Sequence, residues 1–132
     1  MGKPAAKLGD RVTGTDVHVV LVPSAGGPVP TPVSLPFSGT IVDGCCATVL
    51  VAGAPSAVVG SGAVNSPPHV PPAPATFSVP PTNRGTVLTG SATVLIGGKP
   101  AARVGDQVLT CNDPAPAPSG VIQGAGTVLI GP

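Results

Sequence analysis

The residues of this chain best suited to chemistry are two histidines and one cysteine at related positions. His18 lies nine residues after Gly9, and His69 lies nine residues after Gly60. The chain contains only these two histidines, and both fall at the same distance from a glycine. Cys111 occupies the third comparable stretch. Because imidazole nitrogen and thiolate sulfur are preferred ligands of Zn²⁺, these three residues predict a metal site.

A tetrahedral zinc site needs a fourth ligand, and the sequence leaves its identity open. Asp16, Asp113, Cys45, Cys46 and water are all candidates. The adjacent cysteines add one residue to a turn, so we expect a bulge there that lines the core away from the metal. Taken singly, a histidine is more often a surface or hydrogen-bonded residue, and a cysteine is more often a small buried hydrophobe. The shared spacing is what favours the metal.

The elements that position these residues are internal repeats. The clearest copy is Gly85–Asp106, and a looser copy is Gly39–Ser61. A third copy begins at Gly120–Pro132 and is completed by Gly2–Asp10, at the other end of the chain. Repetition at a fixed period is the strongest sequence evidence about a fold. The chain should therefore close on itself, with three like units around one axis and with adjacent termini.

The composition fits one small domain, residues 1–132, with a core built from aliphatic side chains. The chain has 132 residues, no Trp or Tyr, and two Phe. It contains 19 Gly and 19 Pro, a level that usually indicates disorder. Here, however, Gly and Pro recur at matching places in the repeats, which indicates turns between short strands.

The fold class that follows is all-β: a small cone of three pseudo-threefold hairpin repeats. The predicted strands are Thr40–Val42, Thr48–Val51, Thr86–Leu88, Thr93–Ile96, Val121–Ile122 and Thr127–Ile130. Pro-rich connections follow the repeats at Val12–Ser38, Ala63–Asn83 and Cys111–Ser119. We expect these to be long, stiff loops directed to one side, where they bring the metal ligands together at an apex.

Charge and local motifs exclude several classes of function. The net charge is +1 and 8 % of residues are charged, with no basic patch, so we expect no nucleic-acid partner. Neither a membrane helix nor a signal peptide is recognisable, so we expect synthesis into the cytoplasm. Five Asp and no Glu, with no Ser–His–Asp order, argue against an enzyme. Asp10 and Asp106 share one repeat position and predict a turn or hydrogen-bond role.

The repeated segments identify a family. Lys3–Asp10 and Lys99–Asp106 resemble the Pro-Ala-Ala-Arg (PAAR) repeat, and Thr93–Gly97 and Thr127–Gly131 resemble the strand that precedes it. The resemblance covers nearly the whole chain. Asp16–His18, Asn65–Pro71 and Leu109–Pro114 are similar to a longer variant of the family with Pro-rich loops.

The resemblance implies a cone that caps the trimeric β-helical spike of type VI secretion systems and related contractile injection particles. Zinc would hold the apex through His18, His69 and Cys111. Family members commonly use three His and one Cys, whereas this chain has two His. One monomeric cap would bind each spike trimer, piercing a membrane without spanning it. The protein would reside in the bacterial cytoplasm before assembly and then at the particle tip.

Two other functions remain open at this point. The first is an adaptor that carries an effector onto the spike, and since the chain ends within its last repeat we expect any such cargo to bind non-covalently. The second is a simple structural β-domain with no metal, which elemental analysis of the purified protein would distinguish.

Overall fold

The computed structural model describes residues 2–132, which form thirteen β-strands and no helix. The strands are β1 (Lys3–Pro4), β2 (Arg11–Val22), β3 (Val29–Asp43), β4 (Cys46–Val51), β5 (Ala54–Ser56), β6 (Gly62–Asn65), β7 (Thr76–Phe77), β8 (Arg84–Val87), β9 (Leu95–Ile96), β10 (Lys99–Pro100), β11 (Gln107–Thr110), β12 (Ala117–Gln123) and β13 (Leu129–Ile130). The all-β prediction is confirmed. Residues 2–132 include no helix long and apolar enough to cross a membrane.

Three short hairpins confirm the repeats and the closure of the chain. They are β4–β5, β9–β10 and β13–β1, and in each a leucine opposes a proline. The third joins the two ends of the chain, since Lys3 pairs with Ile130. The predicted adjacency of the termini therefore holds from Gly2 onward, while Met1 lies outside the described residues.

A ring of backbone hydrogen bonds links the three repeats around the axis. The N–H of Ala6 donates to the carbonyl of Ala102, that of Ala102 to Ala57, and that of Ala57 to Ala6, each over 3.0 Å. All three alanines are completely buried. The ring closes only because each repeat contributes one donor and one acceptor at the same position, so it fixes the pseudo-threefold arrangement.

Equivalent tight turns follow the ring and lead into the main sheet. Each has a glycine with positive φ: Gly9 at 92°, Gly60 at 99° and Gly105 at 97°. Such values favour glycine because it lacks a Cβ. The carboxylates of Asp10 and Asp106 accept hydrogen bonds from backbone N–H groups three residues earlier, at 3.0 and 2.7 Å. Their predicted role in turns is confirmed.

Beyond the turns the chain forms a closed six-stranded antiparallel sheet. Its order is β12–β11–β8–β6–β3–β2, with β2 pairing back to β12 and with the short β7 added along the distal part of β2. Aliphatic side chains and one Phe fill its interior. The largest of these buried residues are Val12, Phe37, Ile41, Val87, Val108 and Ile122.

The first Pro-rich connection is a hairpin, and its prediction as a loop was wrong. β2 and β3 pair continuously from Arg11 opposite Thr40 to Val22 opposite Val29, leaving only a short turn between them. Alternating burial along β3 shows the period of two expected of a strand. The second and third connections are mainly irregular, apart from β6, β7 and the start of β12.

The prolines of β3 are compatible with this pairing because their nitrogens face the outer edge. The N–H groups of Val17 and Val19 donate to Asn112 and Asp113, at 2.7 and 2.8 Å, and so point away from β3. Their partners across the ladder, Ser34 and Pro32, therefore also direct their backbone groups outward. Positions 30 and 36 share this parity and are proline as well. No strand among residues 2–132 pairs with this edge, and Ser34 is its one N–H donor between positions 30 and 36.

These prolines should prevent strand addition at the outer edge of β3. Replacing all three, as Pro30→Thr/Pro32→Thr/Pro36→Thr, restores three outward donors on an unpaired strand. We expect concentration-dependent association of the variant by analytical ultracentrifugation, with a larger sedimentation coefficient than the parent. Pro28→Thr, in the turn of the hairpin, is the control and should sediment like the parent. Identical sedimentation of all three proteins would contradict this role.

Candidate metal centre

Four side chains from different parts of the chain form one cluster. They are Asp16, His18, His69 and Cys111, whose potential ligand atoms all lie within 4.8 Å of one another. The structure thus brings the three predicted ligand residues together and adds Asp16, one of the candidates for the fourth position. In a tetrahedral shell such atoms are roughly 3.5 Å apart, so small side-chain movements would complete it.

The sheet and the segments beside it position each member of the cluster. Asp16 and His18 are two residues apart on β2, so their side chains share one face, and both are buried while Val17 is exposed. Cys111 directly follows β11. His69 lies in the irregular segment after β6, where its backbone N–H donates to Asn83 Oδ1 over 2.8 Å.

Hydrogen bonds orient the Asp16 carboxylate toward the centre of the cluster. Its Oδ1 accepts from the Thr110 hydroxyl and, over 3.5 Å, from the Asn112 amide. Its Oδ2 lies 2.8 Å from His69 Nε2 and accepts from the Cys111 thiol at 3.4 Å. One oxygen is thus held by the surrounding strands, and the other faces the remaining ligand atoms, as expected of an oriented metal ligand.

The His69 ring is fixed from its outer side. Its Nδ1 lies 3.3 Å from Asn65 Nδ2, so Nε2 is the nitrogen that faces Asp16. The ring lies 5.0 Å from that of His18, centroid to centroid, and 6.4 Å from that of Phe37. These contacts restrict the imidazole to an orientation in which one nitrogen is available to an ion.

His18 provides the test of whether the cluster fits a metal ion. Its side chain is 1 % exposed, yet neither ring nitrogen has a hydrogen-bond partner among residues 2–132. Asp113 Oδ2 lies 3.5 Å from Nδ1 without forming a hydrogen bond. A buried polar group without a partner costs about 1–3 kcal/mol. A cation bound among the four side chains would satisfy one of these nitrogens, so the residues fit a metal.

The Cys111 thiol is strongly perturbed by its surroundings. Burial raises its pKa, the nearby charge of Asp16 and the hydrogen bond to that carboxylate raise it further, and the result is a pKa of about 11. In the absence of a cation the thiol is therefore protonated at neutral pH. A metal must displace this proton to bind sulfur, because only the thiolate is a ligand.

The other candidates for the fourth ligand lie elsewhere. Asp113 is 14 % exposed at the rim of the cluster, and its Oδ2 accepts from the Val19 N–H. Cys45 packs against the core of the closed sheet. The sulfur of Cys46 lies 3.2 Å from the Thr48 hydroxyl, near the β9–β10 turn. The expected core-lining position thus applies to Cys45, and neither cysteine joins the cluster.

The spacing of Asp16 and His18 was the sequence signal that distinguishes Asp16 from the other four candidates. Residues two apart on a strand point to the same side, so a ligand at His18 places Asp16 beside it. This signal depends on a strand within Val12–Ser38, a segment that the sequence had predicted to be a loop. A carboxylate, a thiolate and two imidazoles would together neutralise a divalent cation, which permits its burial.

Comparison with known proteins connects the second half of the chain to a family. Residues 78–132 match the family model described as the PAAR motif. The matched segment runs through β8 to β13 and contains Cys111 but none of the other cluster residues. A search of curated proteins finds no match.

The proton on Cys111 makes the affinity for metal depend on pH. Between about pH 7.5 and 8.5 the pH stays below the pKa of the Cys111 thiol, so metal binding through the thiolate should release the thiol proton. The apparent affinity for Co²⁺ should therefore rise about tenfold over that interval. This is tested by Co²⁺ titrations of the parent protein, monitored by the cobalt–thiolate absorption. The Cys111→Ser variant lacks that absorption and is titrated by its ligand-field bands. An equal slope for parent and variant would show that the proton does not come from Cys111.

Proposed function

We propose that this protein caps the trimeric β-helical spike of a type VI secretion system or related contractile injection particle, because residues 78–132 match the PAAR-motif family model. Its role is structural and not enzymatic: one monomeric cap sits on each trimer and forms its tip. The observation that carries the proposal is this matched segment, together with the hairpin and turn that recur three times around one axis. The protein would assemble in the bacterial cytoplasm and leave it at the tip of the particle.

The end formed by the three hairpins suits a threefold partner. Leu50, Leu95 and Leu129 occupy equivalent places in these hairpins and are 60 %, 63 % and 61 % exposed. Large exposed leucines at symmetry-related positions are typical of a surface that is covered by a partner. A trimer could present the same apolar contact to each leucine in turn, and this supports docking at that end.

The opposite end suits a zinc ion as a structural staple. Two imidazoles, a thiolate and a carboxylate are all common zinc ligands, and four of them complete a closed tetrahedral site. Asp16 and His18 follow the repeat that ends at Asp10, His69 follows the repeat that ends at Ser61, and Cys111 follows the repeat that ends at Asp106. Zinc would bind all three repeats together at this end, and its binding free energy would add to the free energy of unfolding.

The surface around the metal cluster carries almost no charge, which supports passage through a membrane. The sequence has no Lys, Arg, Asp or Glu in 17–42 or 44–83, and only Asp113 in 107–132. Asp16 is completely buried and Asp113 is 14 % exposed. Because charge is expensive to transfer into hydrocarbon, an uncharged tip lowers the cost of piercing.

An adaptor for a non-covalent effector is the second candidate. It is favoured by exposed valines on the same uncharged surface, where Val70 is 71 % and Val79 is 58 % exposed. An effector that covers them would bind the cap without occupying the hairpin end. Such a role would be additional to capping, because the two surfaces belong to opposite ends of the molecule.

The protein as purified should contain one zinc ion. His18→Ala or Cys111→Ala should release the metal and lower the melting temperature, since the three repeats lose their common ligand, whereas binding to the spike should persist. Elemental analysis and thermal denaturation measure these effects. Cys45→Ser, outside the cluster, is the control and should retain zinc. Parent protein without stoichiometric metal, or a Cys111→Ala variant with unchanged zinc and melting temperature, would rule out the staple.

The exposed leucines should provide the contact with the spike. Leu95→Asp places a carboxylate in an apolar interface and should weaken binding to the trimeric spike protein at least about tenfold, the effect of losing one well-buried anchor. Val79→Asp, an equally exposed position at the other end, should bind like the parent. Sedimentation of mixtures gives both affinity and stoichiometry. Three caps per trimer, or equal binding by both variants, would contradict docking through the hairpin end.

A further inference from the structure

We propose that Asp113 guides metal ions into the buried cluster through a cleft beside His18 and Cys111, and that it is not itself a ligand of the bound ion. This inference rests on the proposed metal site. Zinc would be taken up as a hydrated cation, and it would have to reach four side chains that the fold encloses.

The cluster is nearly closed to solvent. Asp16 is 0 %, His18 1 % and Cys111 5 % exposed, and the side chain of His69 is 2 % exposed. A divalent cation cannot pass through tightly packed apolar side chains, because both the hydrated and the bare ion have a high free energy away from polar groups. Binding therefore needs a polar path from the surface to at least one ligand atom.

Two adjoining cavities provide such a path. The inner cavity, about 140 Å³ in volume, is lined by His18, Cys111, Asn112, Asp113 and several prolines. The outer cavity, about 270 Å³, is lined by Val19, Ser78, Val79, Asp113 and Pro114. Val79, Asp113 and Pro114 line both cavities. Since a water molecule occupies roughly 30 Å³, the inner cavity accommodates an ion with part of its hydration shell.

Asp113 is fixed at the junction of the two cavities. Its Oδ2 accepts the Val19 N–H over 2.8 Å, and its own N–H donates to the carbonyl of Val17 over 2.9 Å. The same Oδ2 lies 3.5 Å from His18 Nδ1. An ion held briefly by this carboxylate would therefore already be next to its first buried ligand.

The local charge favours this route. By sequence, Asp113 is the one charged residue in 107–132, and the chain segments 17–42 and 44–83 contain none. A single carboxylate in an uncharged surface with low-dielectric walls focuses its field on the mouth of the cleft. It would raise the local concentration of divalent cations there without competition from other acidic groups.

The alternative route passes His69. A cavity of about 250 Å³ adjoins that ring and is lined by Leu35, Pro36, Ser38, Asn65, Pro67, Pro68, His69 and Val70. It contacts one cluster residue instead of two, and none of its lining residues is charged. The two routes therefore differ in a way that substitutions at Val79 and Val70 can separate.

The test measures the rates at which Co²⁺ binds to metal-free protein and at which the loaded protein gives it up to a chelator. Asp113→Asn keeps the shape of the side chain and removes its charge. We expect both rates to fall about tenfold, with a dissociation constant changed less than about threefold, because the ion at the mouth of the cleft is destabilised more than the bound ion. Asp16→Asn, by contrast, should raise the dissociation constant and alter the cobalt spectrum, as loss of a ligand does.

Two exposed positions locate the route. Val79→Phe should narrow the cleft and slow both rates, and Val70→Phe is the matched control at the His69 cavity, where the parent rates should persist. Unchanged rates in Asp113→Asn, or slowing by Val70→Phe alone, would overturn the route. A changed cobalt spectrum in Asp113→Asn would make Asp113 a ligand and so overturn the guiding role. If the parent binds neither Co²⁺ nor Zn²⁺, the metal site itself is wrong, an outcome distinct from the others.

Discussion

Three backbone segments that meet at one axis are the constraint on which the rest of this structure depends. Ala6, Ala57 and Ala102 donate and accept around a closed ring, with all three distances at 3.0 Å and all three side chains buried. Alanine suits this position because it lets the backbones approach while its methyl group still contributes apolar contact. The hairpins lie on one side of the ring and the closed sheet on the other, so the ring sets the relative placement of both ends.

The two ends use the threefold arrangement in different ways. On the hairpin side the equivalence persists to the surface, where three leucines are almost equally exposed. On the sheet side the equivalence persists as far as Val12, Ala63 and Val108, which are buried and occupy the same place after the three glycine turns. Beyond these residues the equivalence is lost. There the chain after the turn at Gly9 forms the long β2–β3 hairpin and supplies two cluster residues, while the chain after each of the turns at Gly60 and Gly105 supplies one. A tetrahedral ion does not require threefold symmetry, so the repeats were free to diverge at that end while the hairpin end remained symmetric.

The sequence predicts the symmetric part of the fold well and the divergent part less well. Repetition of Gly, Pro and aliphatic residues was enough to predict three like units, the turns at Gly9, Gly60 and Gly105, and the closure of the chain. The predicted pairing within each unit was wrong, because Thr40–Val42 lies in β3, which pairs with β2 and β6, while Thr48–Val51 lies in β4, which pairs with β5. The repetition also placed His18, His69 and Cys111 together, because each follows an equivalent turn. Proline was the misleading signal: its usual meaning is a loop, yet in β3 it occupies positions whose N–H would have no partner. Which backbone N–H groups of β3 point outward depends on how β3 pairs with β2, and the sequence alone does not give that register.

The stability of the end that contains the metal cluster should depend on whether a cation is bound. The stability of the hairpin end should not. The cluster fills the interior of its own end with a carboxylate, a thiol and two imidazoles where the core around Ile41 and Ile122 has apolar side chains. Without a cation, His18 is buried with no hydrogen-bond partner among residues 2–132, and the Cys111 thiol holds its proton. A cation would replace that proton and coordinate one of the His18 nitrogens, so the groups that weaken the metal-free fold would stabilise the metal-bound one. The alanine ring and the hairpins contain none of the four cluster residues, so the docking proposed for that end would not depend on a bound metal.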